Sequence, residues 1–263
     1  MGFTVFYSWQ DDSPRKPNRY FIKKAIKSAL AEISAEGTVE DSPRFDAGME
    51  GVSGTPEVAN VIFTKIKKCF VFIADTTLVG SIPSSKPDRQ PKRVPNPNVL
   101  LEMGYAAGKI GWERIICVMN TAMGGPEEQP FDLRNKRFPI VYNSGRGQKS
   151  ELAAIQEALA KELKNAIETT IRCEHEGAQE AIENLDADCI ELMHKWRGTN
   201  CFHFRQDQIL RVEDQALKSA IIRLLGLKLL RYDFSYTPEG MAWAYHWTAL
   251  GKLVLKKLCF RSE

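Results

Sequence analysis

The chain has 263 residues, of which 43% are hydrophobic and 26% charged, with a formal net charge of +3. At about 150 residues per domain this length holds one large domain or two small ones, and the composition excludes a disordered tail, a coiled coil and a collagenous chain. The apolar run Cys69–Ala74 stops at Asp75, far short of the roughly 18 residues of a membrane span. Met1–Phe6 lacks the basic stretch and apolar core of a secretory signal, so the expected location is the cytoplasm.

Charge and histidine are divided unevenly along the chain. From Glu174 onward 12 Lys and Arg face 13 Asp and Glu, a net of −1, whereas the first 173 residues hold 24 against 20, a net of +4. Neither part has the dense local basicity of a nucleic-acid interface. His175, His194, His203 and His246 all lie in the second part. Chemistry in the first part must therefore rest on carboxylates, amides and hydroxyls. The six cysteines include no Cys-x-x-Cys pair, so no metal or redox motif is expected. Cys69 and Cys117, in apolar runs, read as buried reduced thiols.

Phe3–Ser8 is β-branched and aromatic and predicts a strand. Asp11–Pro17 is a polar loop. From about Asn18, the positions Phe21, Ile22, Ala25, Ile26, Ala29, Leu30 and Ile33 recur at helical spacing, and Gly37 ends the helix. Thr38–Phe45 reads as a weak strand and Asp46–Gly54 as a glycine-rich loop. Thr55 and Pro56 then open a helix with Val58, Ile62 and Ile66 as its buried stripe. Cys69–Asp75 suits a central strand buried on both faces. Val79–Pro95, rich in Pro, Ser and basic residues, reads as a long loop, and Lys86, Arg89, Lys92 and Arg93 make it either a lid over a pyrophosphate or a solvated segment. A short helix over Asn98–Lys109, a buried strand over Arg114–Met119, a loop over Gly124–Arg137, a last strand over Phe138–Asn143 and a helix over Glu151–Thr170 complete the first part. In that Gly124–Arg137 loop, Arg134 and Arg137 either meet a ligand phosphate or pair with Asp132. The small residues around Gly104 and Gly108 read as close helix–sheet packing. Alternating strands and helices predict an α/β fold with a flavodoxin-like, five-stranded parallel sheet.

The second part reads as helices over Ala178–Trp196 and Val212–Leu225, a hairpin of Lys228–Tyr236 and Met241–Trp247, and a last helix capped by Thr248. That succession outlines a small α+β, winged-helix-like module, with Trp196, Trp243, Trp247, Tyr232, Tyr236 and Tyr245 as its core. Its net charge argues against DNA and for oligomerisation or protein contacts. The expected division is a catalytic domain over residues 1–148, a connecting helix over 149–175 and the module over 176–263.

No Gly-x-Gly-x-x-Gly is present, Gly104–Lys109 lacks the spacing of a phosphate loop, and Gly51-Val52-Ser53-Gly54 is not a nucleophile elbow. The richest constellation is Ala74-Asp75-Thr76-Thr77 followed by Pro95-Asn96-Pro97-Asn98-Val99-Leu100-Leu101-Glu102-Met103-Gly104-Tyr105. Asp75 ends a buried strand, where open α/β sheets bind ligands. Asn98, Glu102 and Tyr105 share one helix face. Either Glu102 is a catalytic carboxylate held by an amide over the strand ends, or it is a solvated helix residue and Asn98 a simple cap.

Phe6-Tyr7-Ser8-Trp9, Ile73-Ala74-Asp75-Thr76 and Asn96-Pro97-Asn98-Val99 with Glu102-Met103-Gly104-Tyr105-Ala106 together resemble the TIR-like domains of bacterial antiphage defence proteins. They also resemble the related nucleoside deoxyribosyltransferases, which carry an Asp-ending strand and an Asn-Pro…Glu-Leu-Gly-Tyr-Ala helix. The resemblance covers residues 1–145. Met103 stands where leucine is usual, and the basic segment before Asn96 is longer than in the transferases. The resemblance implies a glutamate, here Glu102, that cleaves an N-glycosidic bond, with NAD or a related nucleotide as substrate and no separate cofactor. Asn96 belongs to the same block. Around Glu102, Ser8 and Trp9 leave the first strand at the same sheet edge, and Trp9 either stacks on a base or is a packing aromatic. Arg44 and Asp46 either hold phosphate and ribose or form a surface turn. The rival expectations are a deoxyribosyltransferase-type enzyme, a non-enzymatic TIR-like sensor or adaptor, and a winged-helix regulator.

Overall fold

The computed structural model describes residues 3–37, 43–51, 57–86, 90–136, 139–145, 149–199, 201–205, 215–237 and 240–260. The chain forms two compact units, Met1–Thr170 and Ile171–Glu263.

In the first unit, strands β1 (Thr4–Ser8), β2 (Arg44–Ala47), β3 (Val71–Asp75), β6 (Ile115–Asn120) and β7 (Ile140–Tyr142) form one sheet in the order β2-β1-β3-β6-β7. Every neighbouring pair is parallel, so the sheet is that of a flavodoxin-like core. All five β3 residues are buried, which a parallel strand requires when both of its faces are covered. Helices α1 (Arg19–Glu36), α2 (Val58–Lys68) and α3 (Pro97–Ile110) lie between the strands in sequence. Side chains alternate along each strand. Phe6, Phe72 and Ala74 therefore share one face and pack with Ile66 of α2 and Val99, Met103 and Ala106 of α3. The seven apolar positions read for α1 are all buried, and Gly37 ends that helix with a left-handed φ of 62°.

Several sequence expectations change. Residues 38–42 and the proposed cap Thr55-Pro56 lie outside the described residues. Helix α2 begins at Val58, which is exposed, so its buried stripe narrows to Ile66 with Ile62 partly covered. The segment read as a long basic loop is instead an antiparallel ribbon, β4 (Leu78–Ile82) with β5 (Lys92–Pro95). Arg93 is not left to solvent: it donates to the Met123 carbonyl at 2.8 Å. Arg134 donates to the Glu127 carbonyl at 3.3 Å from the short helix α4 (Phe131–Arg134). Arg137 lies outside the described residues. Gly104 and Gly108 are exposed, and a Cβ at either would meet nothing within 4 Å. They do not serve close helix–sheet packing.

The helix read as ending at Thr170 runs on as α5, Lys149–Glu183, for 35 residues, and the division between the units falls within it. Helix α6 (Ala187–Trp196) restarts after Asp186, whose carboxylate accepts from the Cys189 amide at 2.8 Å. In the second unit, α6, α7 (Gln215–Gly226) and α8 (Ala249–Phe260) accompany a three-stranded antiparallel sheet, β8-β10-β9. The hairpin is β9 (Leu230–Thr237) with β10 (Gly240–Trp247), and β8 (Cys201–Arg205) is a strand the sequence reading lacked. Phe202, Tyr245 and Trp247 are buried together with Leu224, Leu229 and Val254, and Trp196 and Trp243 pack against them. Tyr232 is 51% exposed and so lies outside that core. The Tyr236 side chain lies outside the described residues.

Thr248 caps α8, its hydroxyl accepting from the Gly251 amide at 3.0 Å. A Cβ on Gly251 would overlap the backbone carbonyl of Leu229, and a carbonyl fixed in a turn cannot give way like a side chain. Gly251→Ala is expected to destabilise the second unit by roughly 1–3 kcal/mol. Urea unfolding of the full chain, followed by tryptophan fluorescence, checks this: three of the five tryptophans, Trp196, Trp243 and Trp247, lie in that unit.

Candidate active site

Ser8 ends β1 on the face shared by Phe6, toward α3, and is buried. Glu102 projects from α3 and is half-buried. The Ser8 hydroxyl donates to Glu102 Oε2 at 2.5 Å, joining residues 94 positions apart. Burial pushes the Glu102 carboxyl above the ordinary glutamate range, and the Ser8 hydrogen bond partly offsets that rise. A carboxylate on a helix is thus fixed against the carboxyl edge of a parallel sheet.

Helix α3 is capped by Asn96, not Asn98. Asn96 Oδ1 accepts from the amides of Asn98 at 2.8 Å and Val99 at 3.1 Å, and Pro97 occupies the first helical position. Asn98 sits exposed in the first turn. The other end of the Asn96 amide donates to Asp12 Oδ2 at 2.5 Å. Tyr105, placed by the sequence on the Glu102 face, stacks on Phe63 of α2 with ring centroids 4.5 Å apart. It joins α3 to α2.

Asp75 ends β3 on the opposite face of the sheet from Ser8, by the alternation along the strand, and is 0% exposed. Its Oδ1 accepts from the Thr77 amide at 3.1 Å, and Gln10 Nε2 lies 3.4 Å from Oδ2. Gln10 is also closed on Ser13, whose amide it accepts at 3.0 Å. Burial raises the Asp75 carboxyl above its usual range. The Tyr7 hydroxyl, on the same face, has no hydrogen-bond partner among the described residues, and burial raises that phenol. At the end of β6, Asn120 Nδ2 donates to Asn18 Oδ1 at 2.8 Å and Ser144 Oγ at 2.7 Å. The hydroxyls of Tyr142 and Ser144 both donate to the Pro17 carbonyl, at 2.9 and 3.0 Å. The segment between β1 and α1 is therefore stitched to the ends of β3, β6 and β7.

Trp9 is half-buried under the Arg19 guanidinium, 3.2 Å from the ring centroid, with Gly48 beside its indole. Arg19 in turn reaches Asp11 at 3.3 Å. Asp46 accepts from Lys65 Nζ at 2.6 Å. Arg44 does not join the group. It pairs in register with Thr4, the first residue of β1, and Ser8 lies four residues on, about 13 Å along the strand. Arg44 is thus at the amino end of the sheet, away from Glu102. Position beside the glycine-rich loop gives no strand register, so it cannot separate Arg44 from Asp46.

The residues missed were Gln10, Asp12, Asn18 and Asn120. The available signal was positional: Asn120 follows an apolar run just as Asp75 does, and Gln10 and Asp12 follow Ser8 directly. Among the described residues no group of three His, Cys, Asp or Glu could hold a metal ion, and no helix is long and apolar enough to cross a membrane. Burial pushes Cys69 and Cys117 up to about 12 and about 11, values that leave them as thiols. No protein-family model and no curated protein matches the chain.

Because Asp75 is held above its unfolded value of about 3.9, folding favours its protonated form. That contribution is full below the unfolded value and is lost as pH rises through the raised one. Asp75→Asn cannot titrate. Its stability relative to the natural chain is expected to improve between about pH 4 and pH 7, read from urea midpoints at both pH values.

Proposed function

We propose that the chain is a TIR-like enzyme that cleaves the N-glycosidic bond of NAD or a related nucleotide, with Glu102 as its catalytic carboxylate. The observation that carries this reading is the 2.5 Å hydrogen bond from Ser8 to Glu102. It fixes one carboxylate oxygen of a side chain that stays partly exposed. Breaking an N-glycosidic bond builds positive charge on the sugar ring, and a preorganised carboxylate stabilises that charge or attacks the anomeric carbon.

The surroundings favour a leaving base that is already cationic. Asp75 is enclosed on the other face of the sheet, and all four histidines lie beyond residue 173. The nicotinamide of NAD departs neutral without receiving a proton, whereas a neutral nucleoside base calls for an acid. The resemblance to defence proteins suggests a setting in which NAD depletion is gated by assembly or a signal. We read the second unit as a winged-helix-like module that contacts a second copy or a protein partner. The sheet order β8-β10-β9 with its hairpin supports the module, and its net charge of −1 from residue 174 disfavours DNA.

Incubating the pure chain with NAD and, separately, with deoxynucleosides tests the substrate class. Nicotinamide release that rises more steeply than linearly with protein concentration is expected, and release of base from deoxynucleosides alone would favour the transferase-type reading. Glu102→Gln should lower release on the order of a hundredfold or more with little change in melting temperature. Retention of near-natural turnover would sink the assignment of Glu102. The pH profile is a separate check. Glu102 must be ionised, so activity falls as pH drops through its raised value. Ser8→Ala removes the hydrogen bond that lowers that value, so the acid limb of kcat/KM should move to higher pH.

A further inference from the structure

Two hydrogen bonds tie the segment after β1 to helix α3. One is Ser8 to Glu102, and the other is Asn96 to Asp12. On α3 the two attachments are six residues apart, about 9 Å of helix rise. With both made, α3 cannot slide or turn against β1. Asn96 is rigid with the first turn, because its Oδ1 already accepts from Asn98 and Val99. Whatever its Nδ2 binds therefore fixes that turn. The partner, Asp12, is exposed, but its neighbours are not loose. Gln10 and Ser13 on either side of it are buried and bonded to each other, and Gln10 reaches Asp75 on β3.

We propose that Asp12 is a positioning residue for Glu102. By accepting from Asn96 Nδ2, it transmits the fixed end of β3 to the first turn of α3 and so sets where the Glu102 carboxylate stands. This rests on the reading of Glu102 as the reacting carboxylate. The task needs an acceptor at this point and not a negative charge. That separates it from a second carboxylate acting directly on substrate.

The experiment compares Asp12→Ala and Asp12→Asn in the full chain. It measures kcat and KM for nicotinamide release from NAD, and hydrogen exchange at the Asn98 and Val99 amides. The alanine variant removes the acceptor. It should lower kcat by roughly ten- to a hundredfold, as a small misplacement of a reacting group does, with KM changed by less than about twofold. It should also speed exchange of both amides. The asparagine variant keeps an oxygen that accepts from Asn96, and should hold kcat within about threefold of the natural chain with slow exchange retained. Equal loss of kcat in both variants would show that the charge matters and overturn the positioning role. Unchanged kcat and exchange in the alanine variant would also overturn it. If the natural chain releases no base even at concentrations where it assembles, the reading of Glu102 falls separately. Exchange then decides for Asp12: faster in alanine but not in asparagine supports the proposal, and no difference overturns it.

Discussion

Asp75, Asn120 and Ser144, buried at or just beyond the carboxyl ends of their strands, must be paired inside the protein, and the first unit is arranged around that requirement. Each buried group left without a partner costs about 1–3 kcal/mol. Asp75 ends β3, Asn120 ends β6, and Ser144 follows β7, all of them buried. One short stretch, Gln10 to Asn18, supplies a partner to each of them. The same stretch leads out of β1 directly after Ser8. Satisfying the strand ends therefore also holds the segment that faces α3.

That arrangement separates two carboxyl groups by environment. Asp75 is fully enclosed and faces the side of the sheet that carries Tyr7, where it organises the backbone around it. Glu102 lies on the other side, half-covered, with one oxygen taken by Ser8. Both carry carboxyl groups displaced upward by burial, yet only the second is partly exposed. A displaced acidity thus marks a candidate reacting group only when read together with the face on which it sits.

Much of the fold was legible because it follows from the spacing of apolar residues. The helical recurrence from Phe21 to Ile33 and the unbroken apolar run into Asp75 each correspond to fully buried positions. With the alternation of elements, they are enough for the parallel sheet and its order. What escaped has few apolar residues or depends on distant partners. The β4–β5 ribbon, Leu-Val-Gly-Ser-Ile against Lys-Arg-Val-Pro, has apolar residues too few and too interrupted for a strand period, and its pairing needs only backbone groups. Helix α5 continues past Thr170 through polar turns and through Gly177, where the apolar spacing gives no helical signal. Ser8 and Glu102 were each singled out, but their contact spans 94 positions and no local spacing encodes it. Asn96 and Asn98 are equivalent as cap candidates by type, and only the start of the helix at Pro97 chooses between them.

Gly104 and Gly108 lower the intrinsic helix propensity of α3 on its exposed side. An exposed glycine within a helix costs about 1 kcal/mol relative to alanine, and neither position would crowd a methyl group. The helix persists because its first turn is capped by Asn96 and its inner face is buried through Val99, Met103 and Ala106. Glu102 stands between two anchors, the turn capped by Asn96 before it and Tyr105, stacked on Phe63, after it. The propensity cost of the two glycines thus falls on the exposed face of α3, while the contacts that flank Glu102 are made from its covered face.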